Sequence, residues 1–272
     1  MPYRHAHYYL LLLFPLTALA FWPSYFGQFR ASPYAFHVHG ITASLWIGLL
    51  AVQSWSIHHR RNGLHRSLGL ASLALFPFFV AGGFLVLQTM AIKFEAKADP
   101  FYAMFGARLG ALDTLSSFAL PALFYMALKQ RRKVHLHARW MLATVFFLIP
   151  PIVSRLMPAL PPLAITGPET FYRFGYGIHI AFALTAAFAI ALAARAPKHG
   201  RPWLVVAGLV AAQAVLFQTV GQTQVWGRLY ASLGEVPVPL LVSISFAVSV
   251  AAIWAGWLAG VPPQKRGAAA AA

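Results

Sequence analysis

Apolar residues run along this chain in long, nearly unbroken blocks, cut by short polar stretches, rather than alternating at the spacing of a half-buried helix or strand. A bilayer core takes about 20 mainly apolar residues per helix. Eight blocks reach that length, at 8–26, 36–57, 68–90, 108–128, 140–160, 174–194, 203–225 and 239–260. The pattern predicts an all-α, polytopic transmembrane helical bundle of about eight spans, forming one transmembrane domain over residues 1–266. The seventh connection, 226–237, is long enough to hold a short interfacial helix. Proline stands inside three spans, as Pro77, Pro121 and the pair Pro150-Pro151. Each removes a backbone hydrogen bond and kinks its helix, which is tolerated where neighbours or a water-lined cavity satisfy the freed carbonyl. Span five is therefore expected to bend beside a cavity. Ala18-Leu19-Ala20 has the small-residue character of a signal-peptide cleavage site, but the apolar run continues into Phe21-Trp22, which favours an uncleaved first span.

Composition agrees with the pattern: 60% of the 272 residues are hydrophobic and 10% are charged, where a soluble domain has about a quarter charged. The formal charge of +16 would suggest nucleic acid in a soluble protein. Here the bases sit in short loops between apolar runs, so they set orientation instead, and no nucleic-acid partner is expected. Of the 21 Lys and Arg, seven (Arg30, Lys93, Lys97, Arg108, Arg155, Arg173 and Arg228) fall on one side and the other fourteen on the opposite side. Cytoplasmic loops retain positive charge, so both termini are expected in the cytoplasm of a bacterial plasma membrane, with the basic loops near anionic lipid. Glu95, Asp99, Glu169 and Glu235 all fall on the outer side, and Asp113 alone among the acids lies within a span. With no cysteine, disulfides, thiolate metal sites and cysteine nucleophiles are excluded. Residues 267–272, a glycine followed by alanines, read as a linker or scar.

Two stretches share an arrangement in which a basic loop is followed by histidine and arginine at the start of the next span. The first contains His65-Arg66-Ser67-Leu68-Gly69 and the second His137-Ala138-Arg139-Trp140-Met141. They suggest a duplicated two-helix unit in which His65 and His137 are equivalent. These elements, with His39-Gly40, Gln53 and Arg155, resemble a family of bacterial multi-pass membrane proteins known as a domain of unknown function (DUF 2306), over roughly residues 36–160. The resemblance implies a helical bundle in a plasma membrane and brings no established activity.

Placed at about 1.5 Å of rise per residue, His39, Asp113, Arg155, His179, Gln218 and Gln222 fall into one layer near the outer face. Ionisable groups at membrane depth are costly when unpaired and mark functional sites. Asp113 and Arg155 are the candidate catalytic pair, or simply an ion pair between spans four and five. His39 is the inward histidine of span two, because Ala43, Trp46, Leu50 and Gln53 continue its stripe. Three chemistries could use the layer. In the first, His39 and His179 ligate haem b and electrons pass to or from a quinone. His65 and His137 would then hold a second haem, with Arg66 and Arg139 toward its propionates. That arrangement is similar to the ascorbate-reducible transmembrane cytochrome b families, although His65 and His137 stand at span edges. In the second, His39, His179 and Asp113 bind a non-haem metal ion in a membrane enzyme. In the third, a transporter or binding protein holds a small molecule or quinone, with Arg155 or Arg108 on its polar group and Trp46, Tyr172, Tyr176, Gln218 and Gln222 around it.

Overall fold

The computed structural model describes residues 2–261, and every regular element among them is helical. Lys265, Arg266 and the Gly/Ala tail at 267–272 lie outside the described residues. Ten α-helices follow one another: α1 (Ala6–Ala20), α2 (Tyr34–His58), α3 (Asn62–Ala96), α4 (Pro100–Lys129), α5 (Val134–Ala143), α6 (Ile149–Leu156), α7 (Tyr172–Ala194), α8 (Arg201–Gln218), α9 (Gln224–Ser232) and α10 (Val238–Ala259). Seven stretches are helical, long and apolar enough to cross a membrane, with α5 and α6 counted as one stretch over Val134–Ala159. α1 is as apolar, but its 15 residues rise only about 22 Å, less than a bilayer core of about 30 Å. The first expected span is thus shorter than the sequence suggested. Its last residues turn back at Phe21 and Trp22 and enter a 3-10 helix, Phe26–Ala31.

Short connections force consecutive helices antiparallel, and α2 with α3, α3 with α4, and α7 with α8 pack as neighbours. α10 closes the bundle against α3 and α4, and α1 lies on α2 and α6. The loops at 59–61, 130–133 and 195–200 therefore gather on one face, here the basic face. The connections carrying Asp99, Glu169 and Glu235 gather on the other, here the acidic face. Lipid-facing positions stay apolar, as with Leu240, Ile244, Val250 and Trp254 of α10. Between helices, where hydrocarbon gives no hydrophobic drive, close packing and hydrogen bonds hold the bundle. At Gly82 a β-carbon would stand 3.0 Å from the His39 backbone, so glycine there lets α2 approach α3.

Two helices differ from their expected bounds for local reasons. α4 begins at Pro100, eight residues before the apolar block, because the Asp99 carboxylate accepts the Phe101 N–H at 2.9 Å and proline occupies the first turn. Both features start helices. α8 ends at Gln218, where Thr219 leaves helical geometry, so Gln222 lies in a 3-10 turn, Val220–Gln222. The interfacial helix expected in the seventh connection is present as α9. It is tied down by Trp226 Nε1 donating to the Ala107 carbonyl at 2.7 Å and Tyr230 donating to Leu87 at 3.0 Å.

Candidate functional site: a chamber within the bundle

Span five is broken where the sequence predicted a bend. α5 stops at Ala143, a 3-10 turn covers Phe146–Leu148, and α6 starts at Ile149, just before Pro150 and Pro151. Neither proline has an N–H to donate, so the regular ladder cannot cross this point. Backbone of this kind survives at membrane depth where it borders a cavity. A cavity of about 260 Å³ lies there, lined from Thr144 through Arg155 on one side and by α2, α3, α4, α7 and α8 on the others.

Three residues of the expected layer share this chamber: His39, Asp113 and Arg155. Because α4 starts early, Asp113 stands about 20 Å along it, near mid-helix rather than at the outer edge. The His39 ring stacks on Phe79 with centroids 5.9 Å apart, and its Nδ1 is buried with no hydrogen-bond partner. The Arg155 guanidinium lies 4.3 Å from the centre of the Phe21 ring and donates to the Pro151 carbonyl at 3.1 Å. Asp113 and Arg155 feel each other's charge but are not joined as an ion pair. The alternative of an ion pair between spans four and five is therefore absent among the described residues. Trp46 forms part of the wall, donating to Thr144 Oγ1 at 3.0 Å and stacking on Phe79. Gln213, which the sequence reading passed over, also lines the chamber: its amide nitrogen donates to Ser116 Oγ at 2.7 Å and Leu112 O at 3.3 Å, and its buried oxygen has no partner. A lone polar residue in the apolar run 203–217 was the available signal.

The remainder of the layer forms a different structure. Gln218 Oε1 accepts from Arg108 Nη2 and from His179 Nε2, both at 3.1 Å. Arg108 also donates to the Phe217 carbonyl at 3.2 Å, satisfying the open C-terminal end of α8. Gln222 bonds back to the Gln218 carbonyl at 2.5 Å. These four residues fasten α4, α7 and α8 and do not line the chamber, and neither do Tyr172 and Tyr176, which are exposed on α7. His39 and His179 consequently face different interfaces and form no common donor set. Among the described residues, no three histidine or acidic side chains are grouped to hold a metal ion. The bis-histidine haem expectation does not fit this geometry.

At the basic face, His65 Nδ1 contacts the Gln53 carbonyl at 3.3 Å and His137 Nδ1 the Ala127 carbonyl at 2.9 Å. A carbonyl only accepts, so each Nδ1 carries the proton. Both rings tie the start of their own helix to the end of the preceding one, the same part in both halves of the suspected repeat. Arg66 is exposed. Arg139 is buried, donating to the His135 carbonyl at 2.8 Å and lying 5.0 Å from the Tyr3 ring centre.

No family model, curated protein or solved structure matches this chain. The chamber's own chemistry therefore carries the functional argument.

Proposed function

We propose that this protein binds a small, largely apolar molecule with a polar head in the chamber between α2 and α8, as a carrier or binding protein of a bacterial plasma membrane. In this reading α1 is the first of eight spans, both termini are cytoplasmic, and the bundle belongs with the family it resembles, whose shared residues His39 and Arg155 stand on the chamber wall. One observation carries the reading. His39 Nδ1, the Asp113 carboxylate, most of the Arg155 donors and Gln213 Oε1 surround one cavity with their hydrogen-bonding capacity unused by the protein. Buried polar groups are normally satisfied, and the exceptions need an explanation. Ligand sites have this form, mostly apolar walls with a few convergent polar groups, and the volume of about 260 Å³ suits a compact ligand, at the lower end of known pockets of roughly 300–1,000 Å³.

Gly83 provides the test, because it lines the chamber and a β-carbon there meets nothing closer than His39 Nδ1 at 4.0 Å, so a side chain can start from it without a clash at its first atom. Organic extracts of the purified protein and of Gly83→Leu are compared by mass spectrometry. A compound carried by the parent and reduced about tenfold or more in the variant, equivalent to about 1.4 kcal/mol in affinity, is expected. Identical extracts from the two would sink the proposal. A haem b or other metal reading would need donors beyond His39, and a purified protein with a Soret band would favour it over this one.

A further inference from the structure

The chamber's unspent groups also specify the ligand's head, an inference that rests on the binding reading above. The hydroxyls of Ser116, Ser117, Ser154 and Thr144 all donate to backbone carbonyls, so none offers a proton to a guest. The Gln213 amide nitrogen must face the Leu112 carbonyl, which only accepts, and this fixes the amide oxygen as the unpartnered end. The wall thus presents acceptors in Asp113 and Gln213 Oε1, a His39 ring that when neutral has one N–H and one lone pair, and Arg155, the group with the most protons to give. A guanidinium has five N–H donors, and Pro151 takes one.

Charge narrows the choice further. Asp113 of α4 and Arg155 of α6 stand on different sides of the chamber without forming an ion pair, and Arg155 is engaged by Pro151 and Phe21. A neutral group between them that accepts from Arg155 and donates to Asp113 completes both. With Asp113 ionised opposite Arg155, a carboxylate would leave a net negative charge in a low-dielectric site and an amine a net positive one, and unbalanced buried charge is costly. Phe79, Phe147, Phe174 and Phe182 supply aromatic wall for a ring. We infer that the chamber takes a neutral, hydroxylated aromatic ring of the hydroquinone type, its hydroxyl bridging Arg155 and Asp113.

Three related probes test this on the whole chain in lipid nanodiscs, with calorimetry as the readout. They are a short-chain alkyl 1,4-hydroquinone, its dimethyl ether and the corresponding benzoate. The hydroquinone is expected to bind at least about tenfold more tightly than either of the others. Asp113→Asn and Asp113→Leu should reduce that advantage, and thermal melts of both variants separate loss of the bridge from loss of the fold. An ether that binds as well as the hydroquinone, or a benzoate that binds best, overturns the inference and leaves the binding reading standing. If no probe binds but the parent still carries a compound that Gly83→Leu lacks, the hydroquinone assignment alone fails. If that difference is also missing, both fail.

Discussion

At Gly110 the bundle leaves no room for a side chain. A β-carbon there would overlap the Tyr230 ring, and Tyr230 itself is buried with its hydroxyl on the Leu87 carbonyl. Overpacking of this kind costs about 1–3 kcal/mol or more, so Gly110→Ala should lower the melting temperature of the detergent-purified protein. Tyr230→Phe keeps the ring and loses the bond, and should cost about 1 kcal/mol. Tyr230 also has a pH signature. Burial first, then Asp113 and Tyr102, holds its phenol above the ordinary range. The native state therefore keeps the proton where the unfolded chain releases it. The associated stability is complete below about pH 10, the ordinary phenol value, and falls as pH rises beyond it. Thermal melts across pH 8–11 check this, roughly spanning that value, and Tyr230→Phe should flatten their alkaline limb.

At the scale of elements, the broken fifth span and α9 have opposite roles. The break opens space: Pro150 and Pro151 interrupt the ladder and the chamber occupies the gap. Both prolines occupy the first turn of α6, where the missing N–H costs little, so Pro150→Ala with Pro151→Ala should change the melting temperature little while reducing the compound recovered in extracts. A variant that keeps its cargo would separate the break from the site. α9 instead closes the acidic-face end of the bundle. Gln88 Nε2 donates to Val236 O at 2.6 Å and Leu233 O at 3.2 Å, anchoring the turn that follows α9. Gln88→Leu removes both donors' bonds, a loss of about 1–3 kcal/mol when carbonyls are left unsatisfied. Faster amide exchange confined to residues 224–237 is the expected result, and uniform exchange across the molecule would argue for a global role instead.

For the molecule as a whole, the proposed orientation predicts which face is reachable from outside the cell. The chain has no cysteine, so single replacements at Lys133 and Glu169 can be labelled without background. A membrane-impermeant maleimide on intact cells should label the Glu169 site and leave the Lys133 site unmodified until the membrane is opened; the reverse would invert the topology. Much of this architecture was legible from residue types alone. Seven of the eight apolar blocks are helices long enough to span, because in hydrocarbon a backbone must satisfy its own polar groups and a helix does so within one segment. The proline pair also marked the break correctly. Helix ends were less legible: α1 stops early and α4 starts at Pro100, set by a turn and a cap rather than by hydropathy. The site divides in the same way. Sequence position gave each polar residue an approximate depth, which is a matter of rise per residue. Which way each side chain faces depends on the rotation and tilt of its helix against several partners at once. Only the tertiary structure decided that His39, Asp113, Arg155 and Gln213 share a chamber, while His179 and Gln218, assigned by sequence to the same layer, join Arg108 in a fastening between α4, α7 and α8.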